Sequence, residues 1–262
     1  MHTRTLLAAM AAAACATGAA RADTDDVGIG TRVYAGISPG ARTRMLDMTS
    51  AALADLGAIN PSLAGIAGST STLNLRYSDA FRAGPIFGME LDYRIGNGFE
   101  PFARFVYDDA IGRSVPMGNI SEGASSAQLP IVGAYSNLPS VTLDFGSRFV
   151  FRRQDHLQPF VSAYAGMTRV SALEADISSP QATTDLGIQR LLPSTTRADG
   201  GMEFGFDYVL PSGVRLGMTV GANYLAAETA ATAALQSLGV PTTVAHGQGW
   251  TYPMQLGVSY HF

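Results

Sequence analysis

The chain has 262 residues, of which 47% are hydrophobic and only 15% charged, with 29 Gly and 13 Pro. That is too apolar for a disordered chain and well short of the ~25% charge of an ordinary soluble domain. Beyond the first 22 residues no run reaches ~18 apolar residues, so a helical membrane protein is excluded, and the formal charge of −4, with arginine the sole strong base, argues against a nucleic-acid partner.

Residues 1–22 read as a secretory signal: a short positive segment with Arg4, an apolar run from Leu6 through Ala14, and the small-residue site Ala20-Arg21-Ala22 before Asp23. A rival reading lipidates Cys15 after Ala12-Ala13-Ala14, but that site lacks the Leu usual three residues before the cysteine. On the first reading the only cysteine leaves with the signal, so no disulfide staples the mature chain. Removal of Arg4 and Arg21 also takes the formal charge from −4 to −6.

Residues 23–262 then read as one domain of strands whose apolar residues recur at period two. Ile29 to Ser38 opens the series. Residues 43–58 and 225–238 carry helical spacing (Met45, Met48, Ala52 and Leu56 in the first) and are expected as short helices in loops. Thr72 to Tyr77 alternates through Leu73, Leu75 and Tyr77, which extends the second strand or raises the count from eight to ten. Ala83 to Ile95 sets Pro85, Phe87, Met89, Leu91 and Tyr93 against Glu90, Asp92 and Arg94. It meets Gly96-Asn97-Gly98, residues that tolerate the positive φ of a tight hairpin. Phe99 to Asp108 returns, with Ala103, Phe105 and Tyr107 opposite Glu100, Phe102 and Arg104. Val141 to Arg152 places Val141, Leu143, Phe145, Phe149 and Phe151 against Thr142, Asp144, Arg148 and Arg152. After the turn Arg153-Gln154-Asp155-His156, Gln158 to Val170 leaves its facing open. Gly201 to Leu210 and Val214 to Tyr224 form a hairpin about Pro211-Ser212-Gly213. Trp250 to Phe262 alternates without a miss for thirteen residues, enough for the ~9–11 a tilted strand needs to cross a bilayer.

Three connections are short, whereas 39–82, 109–140, 171–199 and 225–249 are long. An even strand count puts both chain ends beside the short turns and the long segments outside. Aromatics gather at strand ends on the apolar face: Tyr93, Phe99, Phe149, Phe151, Tyr208, Tyr260 and Phe262 at one level, Tyr107, Tyr224, Trp250 and Tyr252 at the other. The opposite face carries Arg32, Arg82, Arg94, Arg104, Arg148, Arg152 and Arg215 with Glu90, Asp92, Glu100, Asp144, Glu203 and Asp207. An Arg on the lipid side costs ~2–4 kcal/mol at the midplane, so the charged face is the lumen. Eight strands leave a lumen about filled by side chains, in which these charges are expected to pair as a structural network.

The segments GMELDYRIGNGFEPFARFVY (88–107), QPFVSAYAGM (158–167), GGMEFGFDYVLPSGVRLGMTVGANY (200–224) and QLGVSYHF (255–262) together resemble the opacity-porin/OmpA-type eight-stranded outer-membrane β-barrel superfamily. The resemblance implies an all-β, transmembrane, antiparallel up-and-down barrel in the outer membrane of a Gram-negative cell, loops extracellular. It implies Tyr260 and Phe262 as the sorting strand, periplasmic chaperones and the barrel-assembly machinery as folding partners, and outer-membrane lipid and lipopolysaccharide as surroundings. No cofactor is implied.

The function expected is non-enzymatic: envelope structure, or surface interaction and adhesion through a loop-bound ligand. A small-solute, porin-like channel is the second reading and a lipid A-modifying enzyme the third. For the third, catalysis needs a base near a nucleophile or water. The mature chain offers His156, His246 and His261 without the His-x-Ser spacing of lipid A deacylase barrels, and only His246, with Glu228 or Asp108/Asp109, lies on the outer side. No Cys/His metal spacing or phosphate loop occurs.

Overall fold

The computed structural model describes residues 27–39, 44–48, 51–53, 68–72, 75–95, 98–122, 128–151, 156–179, 184–231, 242–246 and 249–262. The expected signal and Arg152 lie outside them. Eight strands form the wall, numbered in chain order: β1 Gly28–Ser38, β2 Gly84–Arg94, β3 Phe99–Gly112, β4 Leu138–Val150, β5 Leu157–Val170, β6 Thr195–Val209, β7 Arg215–Leu225 and β8 Met254–His261. Each pairs antiparallel with the next. β8 returns to β1 (Gly30 opposite His261 through Ile37 opposite Met254), so the sheet closes as an eight-stranded up-and-down barrel. Closure removes the exposed edges an open sheet would carry.

The short turns use glycine where the backbone needs it. Gly98 and Gly213 have φ of 85° and 83°, a region costly for residues with a Cβ. At Gly213 the turn is locked by Leu210 N–H to Val214 O at 2.8 Å and Gly213 N–H to Leu210 O at 2.9 Å.

The final strand is not continuous. Gly249–Thr251 and Met254–His261 both pair with β7, but Tyr252 and Pro253 between them leave the ladder. Pro253 has no N–H to donate, and only its carbonyl is used, accepting from Gly221 N–H at 2.9 Å.

Beyond the wall the described residues of the long connections are mainly strand. Ala51–Leu53, Gly68–Thr72, Ser114–Glu122, Gln128–Tyr135, Leu173–Ser179 and Thr184–Leu192 make a six-stranded sheet. Arg44–Met48, Leu75–Arg76, Glu228–Ala231 and Thr242–His246 make a four-stranded one. Where the helices expected at 43–58 and 225–238 are described, there is no helix: residues 44–48, 51–53, 225 and 228–231 are strand, and Ala226 and Ala227 link two strands. Cross-strand pairing there uses the backbone groups a helix would have used, and tertiary context overrides a weak helical spacing that carries no caps. The one helix among the described residues is the single turn α1, Tyr77–Ala80. Because the segments around Thr72 to Tyr77 join these rim sheets, the wall has eight strands and not ten.

The rim sheets cover a conventional apolar core: Phe81, Met117, Leu173, Ile177, Leu191 and Leu192 are at most 3% exposed. In the wall the order is inverted. Phe204 is 55% exposed while its neighbour Glu203 is 6% exposed, and the same holds for Phe145 (61%) beside Asp144 (1%).

Candidate functional site: the charged lumen

Register converts the inward charges into rows of alternating sign. Arg32 lies opposite Glu90, Glu90 opposite Arg104, and Arg104 opposite Asp144, across four consecutive wall strands. A second row sets Glu100 opposite Arg148, then Ser162 and Glu203. Directly opposed unlike charges stabilise a sheet where like charges would destabilise it.

The side chains gather these rows into clusters of paired charges. Arg104 donates from Nε and Nη2 to Asp144 Oδ2 at 3.1 and 2.9 Å, and from Nη1 to Glu203 Oε1 at 2.5 Å. Ser162 Oγ donates to the other Glu203 oxygen at 3.2 Å. Arg148 Nη2 donates to Glu90 Oε1 at 2.6 Å, and Arg32 Nη2 to Asp207 Oδ2 at 2.5 Å. Towards the short-turn end Arg94 Nε donates to Glu100 at 3.0 Å, and His261 Nε2 lies 2.7 Å from Asp92 Oδ2. Arg215 is also buried, with no carboxylate within 4.0 Å of it among the described residues.

Arg82 does not join this network. It stands exposed beyond the wall, in the short strand Phe81–Arg82 opposite Ile111. By parity it belongs with Glu90 and Asp92, but the ladder breaks at Ala83, and a one-residue slip turns the inward position over to Phe81. Of the expected set, the described lumen thus holds Arg32, Arg94, Arg104, Arg148 and Arg215 with Glu90, Asp92, Glu100, Asp144, Glu203 and Asp207, and β6 adds two buried inward charges that the sequence reading did not name, Arg197 and Asp199. His261 supplies a further cation when protonated. Tyr260 and Phe262 of the expected sorting strand face outward, their rings 5.0 Å apart.

Sequence reasoning placed Phe102 on the inward face, left Phe160 and Tyr164 open and missed Tyr34, and it did not find the reason these four aromatics fit. Tyr34, Phe102, Phe160 and Tyr164 each lie opposite a glycine on the neighbouring strand: Gly88, Gly146, Gly205 and Gly201. A Cβ at Gly146 would sit 2.6 Å from Phe102 Cζ, and one at Gly205 2.5 Å from Phe160 Cζ. The rings lie flat into these spaces and meet the guanidinium groups. Arg104 Cζ is 3.9 Å from the Tyr164 centroid and Arg148 Cζ 4.7 Å from that of Phe160, cation–π distances that partly replace lost hydration. Matching each inward aromatic to a glycine needs the register, which single-strand alternation does not contain.

Asp92, Glu100 and His261 come from three strands and place one ligand atom each within 4.8 Å of the others. Arg94 already donates to Glu100, and Asp92 to His261 is a direct hydrogen bond, so the cluster is an extension of the ion-pair network. The void among Arg32, Tyr34, Glu90, Arg104, Arg148 and Glu203 measures about 10 Å³, the room of about one water.

No protein-family model matches the chain, and no curated protein matches it. Among solved structures it is similar to the Neisserial surface protein A, NspA (13% identity, 91% of this chain and 100% of that one, TM-score 0.45). It is also similar to the outer membrane protein OprG from Pseudomonas aeruginosa (15%, 90% and 98%, 0.42) and the outer membrane protease OmpT from Escherichia coli (9%, 90% and 95%, 0.41).

Proposed function

We propose that the chain is an integral outer-membrane barrel, non-enzymatic, whose lumen is a structural ion-pair core and whose long-hairpin end makes surface contacts outside the cell. The observation that carries this is the inverted wall: large apolar side chains exposed all round, charges buried within. Only an apolar solvent makes such a surface favourable, and only a closed barrel satisfies every backbone group in one. On this reading the short turns and both ends of the wall are periplasmic. Aromatic levels at the two strand ends, including Phe149 against Phe151 at 5.0 Å and Tyr224 against Trp250 at 5.3 Å, suit the two interfaces. The test is outer-membrane fractionation with a gel comparing boiled and unboiled samples. A heat-dependent mobility shift of a membrane-fraction band is expected; a periplasmic protein without a shift overturns the reading.

A second reading, a lipid A-modifying activity, draws support from one observation: the rim register sets Glu228 opposite His246. Asp108 and Asp109 belong to β3, where Asp109 is taken up by the Asn137 amide at 3.3 Å. A change in lipid A mass on overexpression, abolished by His246→Ala, would establish that activity; an unchanged lipid A mass removes it.

A further inference from the structure

Among the described outward-facing residues of the eight wall strands, only Asp109 and Arg169 are charged. Asp109 is held by Asn137, whereas Arg169 is exposed and has no carboxylate partner among the described residues. It stands on β5 opposite Val141, which stands opposite Tyr107; with strands about 4.8 Å apart and tilted about 40° the row climbs about 6 Å over those two strands, so Arg169 lies just above the aromatic level at the long-hairpin end. Further up the same side, Arg82 lies opposite Ile111, and Arg113 donates its N–H to Ala80 O at 2.9 Å. That register makes Arg82 and Arg113 diagonal neighbours, both exposed and without a carboxylate partner among the described residues. With a rise of about 3.3 Å per residue and a strand tilt of about 40°, Arg113 is about 15 Å above the Tyr107 row. By contrast the exposed Arg190 is neutralised by Glu174 at 3.3 Å.

We infer that this side of the barrel is a docking surface for lipopolysaccharide, with Arg169 holding a phosphate of the lipid A head and Arg82 with Arg113 holding acidic groups of the sugar core. The inference rests on the outer-membrane reading above. Three features argue for this occupant. The arginines are continuous with the apolar belt that acyl chains would cover. They are spaced vertically, as an amphiphile with phosphate at the acyl boundary and acid groups above it requires. The residue type is the planar donor fork that takes phosphate oxygens two at a time. An arginine at the interface also costs ~0–1 kcal/mol there, so it is tolerated where a midplane arginine is not.

The test uses the full chain folded in neutral detergent, its fold verified by the heat-dependent gel shift. Purified lipopolysaccharide is titrated in, alongside the same material with its lipid A phosphates removed. At about fivefold per arginine, Arg169→Gln should weaken binding about fivefold and Arg82→Gln with Arg113→Gln about twenty-five-fold. Dephosphorylation should weaken wild type and the Arg82/Arg113 variant but leave Arg169→Gln unchanged. Variants that bind as wild type does, or phosphatidylglycerol vesicles that compete as well as lipopolysaccharide, overturn the inference while the barrel stands. A chain with no heat-dependent shift overturns the membrane reading, and this surface with it.

Discussion

Arg104 shows what a single residue does in this lumen. It is 3% exposed and satisfies two carboxylates from two other strands while lying over the Tyr164 ring. Arg104→Met leaves Asp144 and Glu203 buried without their main partner, and breaking such a pair costs about 3–5 kcal/mol. Urea unfolding in lipid vesicles, followed by the emission of the single tryptophan, Trp250, should show that loss, and Arg169→Gln should not. Above the wall, Tyr77 and Tyr135 flank Phe81 at ring distances of 5.4 and 5.8 Å. Burial pushes both phenols well above their usual value, Arg197 pulling Tyr77 partly back and Tyr77 adding to the rise at Tyr135. A raised folded value means the native rim holds its protons more tightly than the unfolded chain. Its stability is therefore intact below a pH of about 10 and falls as the pH rises further. Tyr135 Oη is buried with no hydrogen-bond partner among the described residues, so Tyr135→Phe should leave neutral stability unchanged or raised and reduce the alkaline loss. A steeper alkaline loss in the variant would contradict this.

At the scale of the element, the hairpin turns separate backbone strain from crowding. Gly213 has φ of 83°, yet a Cβ there would meet only Tyr260 Cε2, at an ordinary 3.5 Å. Gly98 has a similar φ of 85°, but its Cβ would lie 2.5 Å from Val150 O, beside the Val150 N–H to Gly98 O bond of 2.8 Å. Gly213→Ala should cost about 1 kcal/mol, the price of the left-handed conformation alone, and Gly98→Ala about 2 kcal/mol or more. Equal unfolding midpoints for the two variants would remove the crowding argument. The same scale explains where local patterns mislead. The alternation from Trp250 to Phe262 is perfect as letters, but Pro253 cannot donate to a ladder, so the strand is broken there. At Ala83 the ladder breaks and the parity of Arg82 fails with it.

For the whole molecule, the decisive property is that closure and filling go together. Eight strands closed on themselves leave an interior that paired charges and glycine-seated rings occupy, with a void of about 10 Å³ among Arg32, Glu90, Arg104, Arg148 and Glu203. Refolded protein in a planar bilayer should therefore give no steady single-channel steps. Arg148→Ala combined with Glu90→Ala removes an ion pair without stranding either partner of their 2.6 Å contact, and is the variant in which steps would appear if ion pairing is what seals the lumen. Steps from wild type of the same size as from that variant would reverse the conclusion.

The period-two alternation by itself determined the strand series, which face is apolar, and that charges and lipid-type residues are segregated, because side-chain direction in a strand follows from backbone geometry alone. It also marked most of the lumen set, since Arg32, Glu90, Arg104, Asp144, Arg148 and Glu203 share a parity with their strand's polar face. Only the tertiary structure decided which charge meets which, that four aromatics sit over four glycines, that Arg215 is buried apart from any carboxylate in the described residues, and that the long connections pair into sheets over an apolar core of their own. Those facts depend on register and closure, which are set by contacts between residues as far apart as Arg32 and Asp207, and no local pattern encodes them.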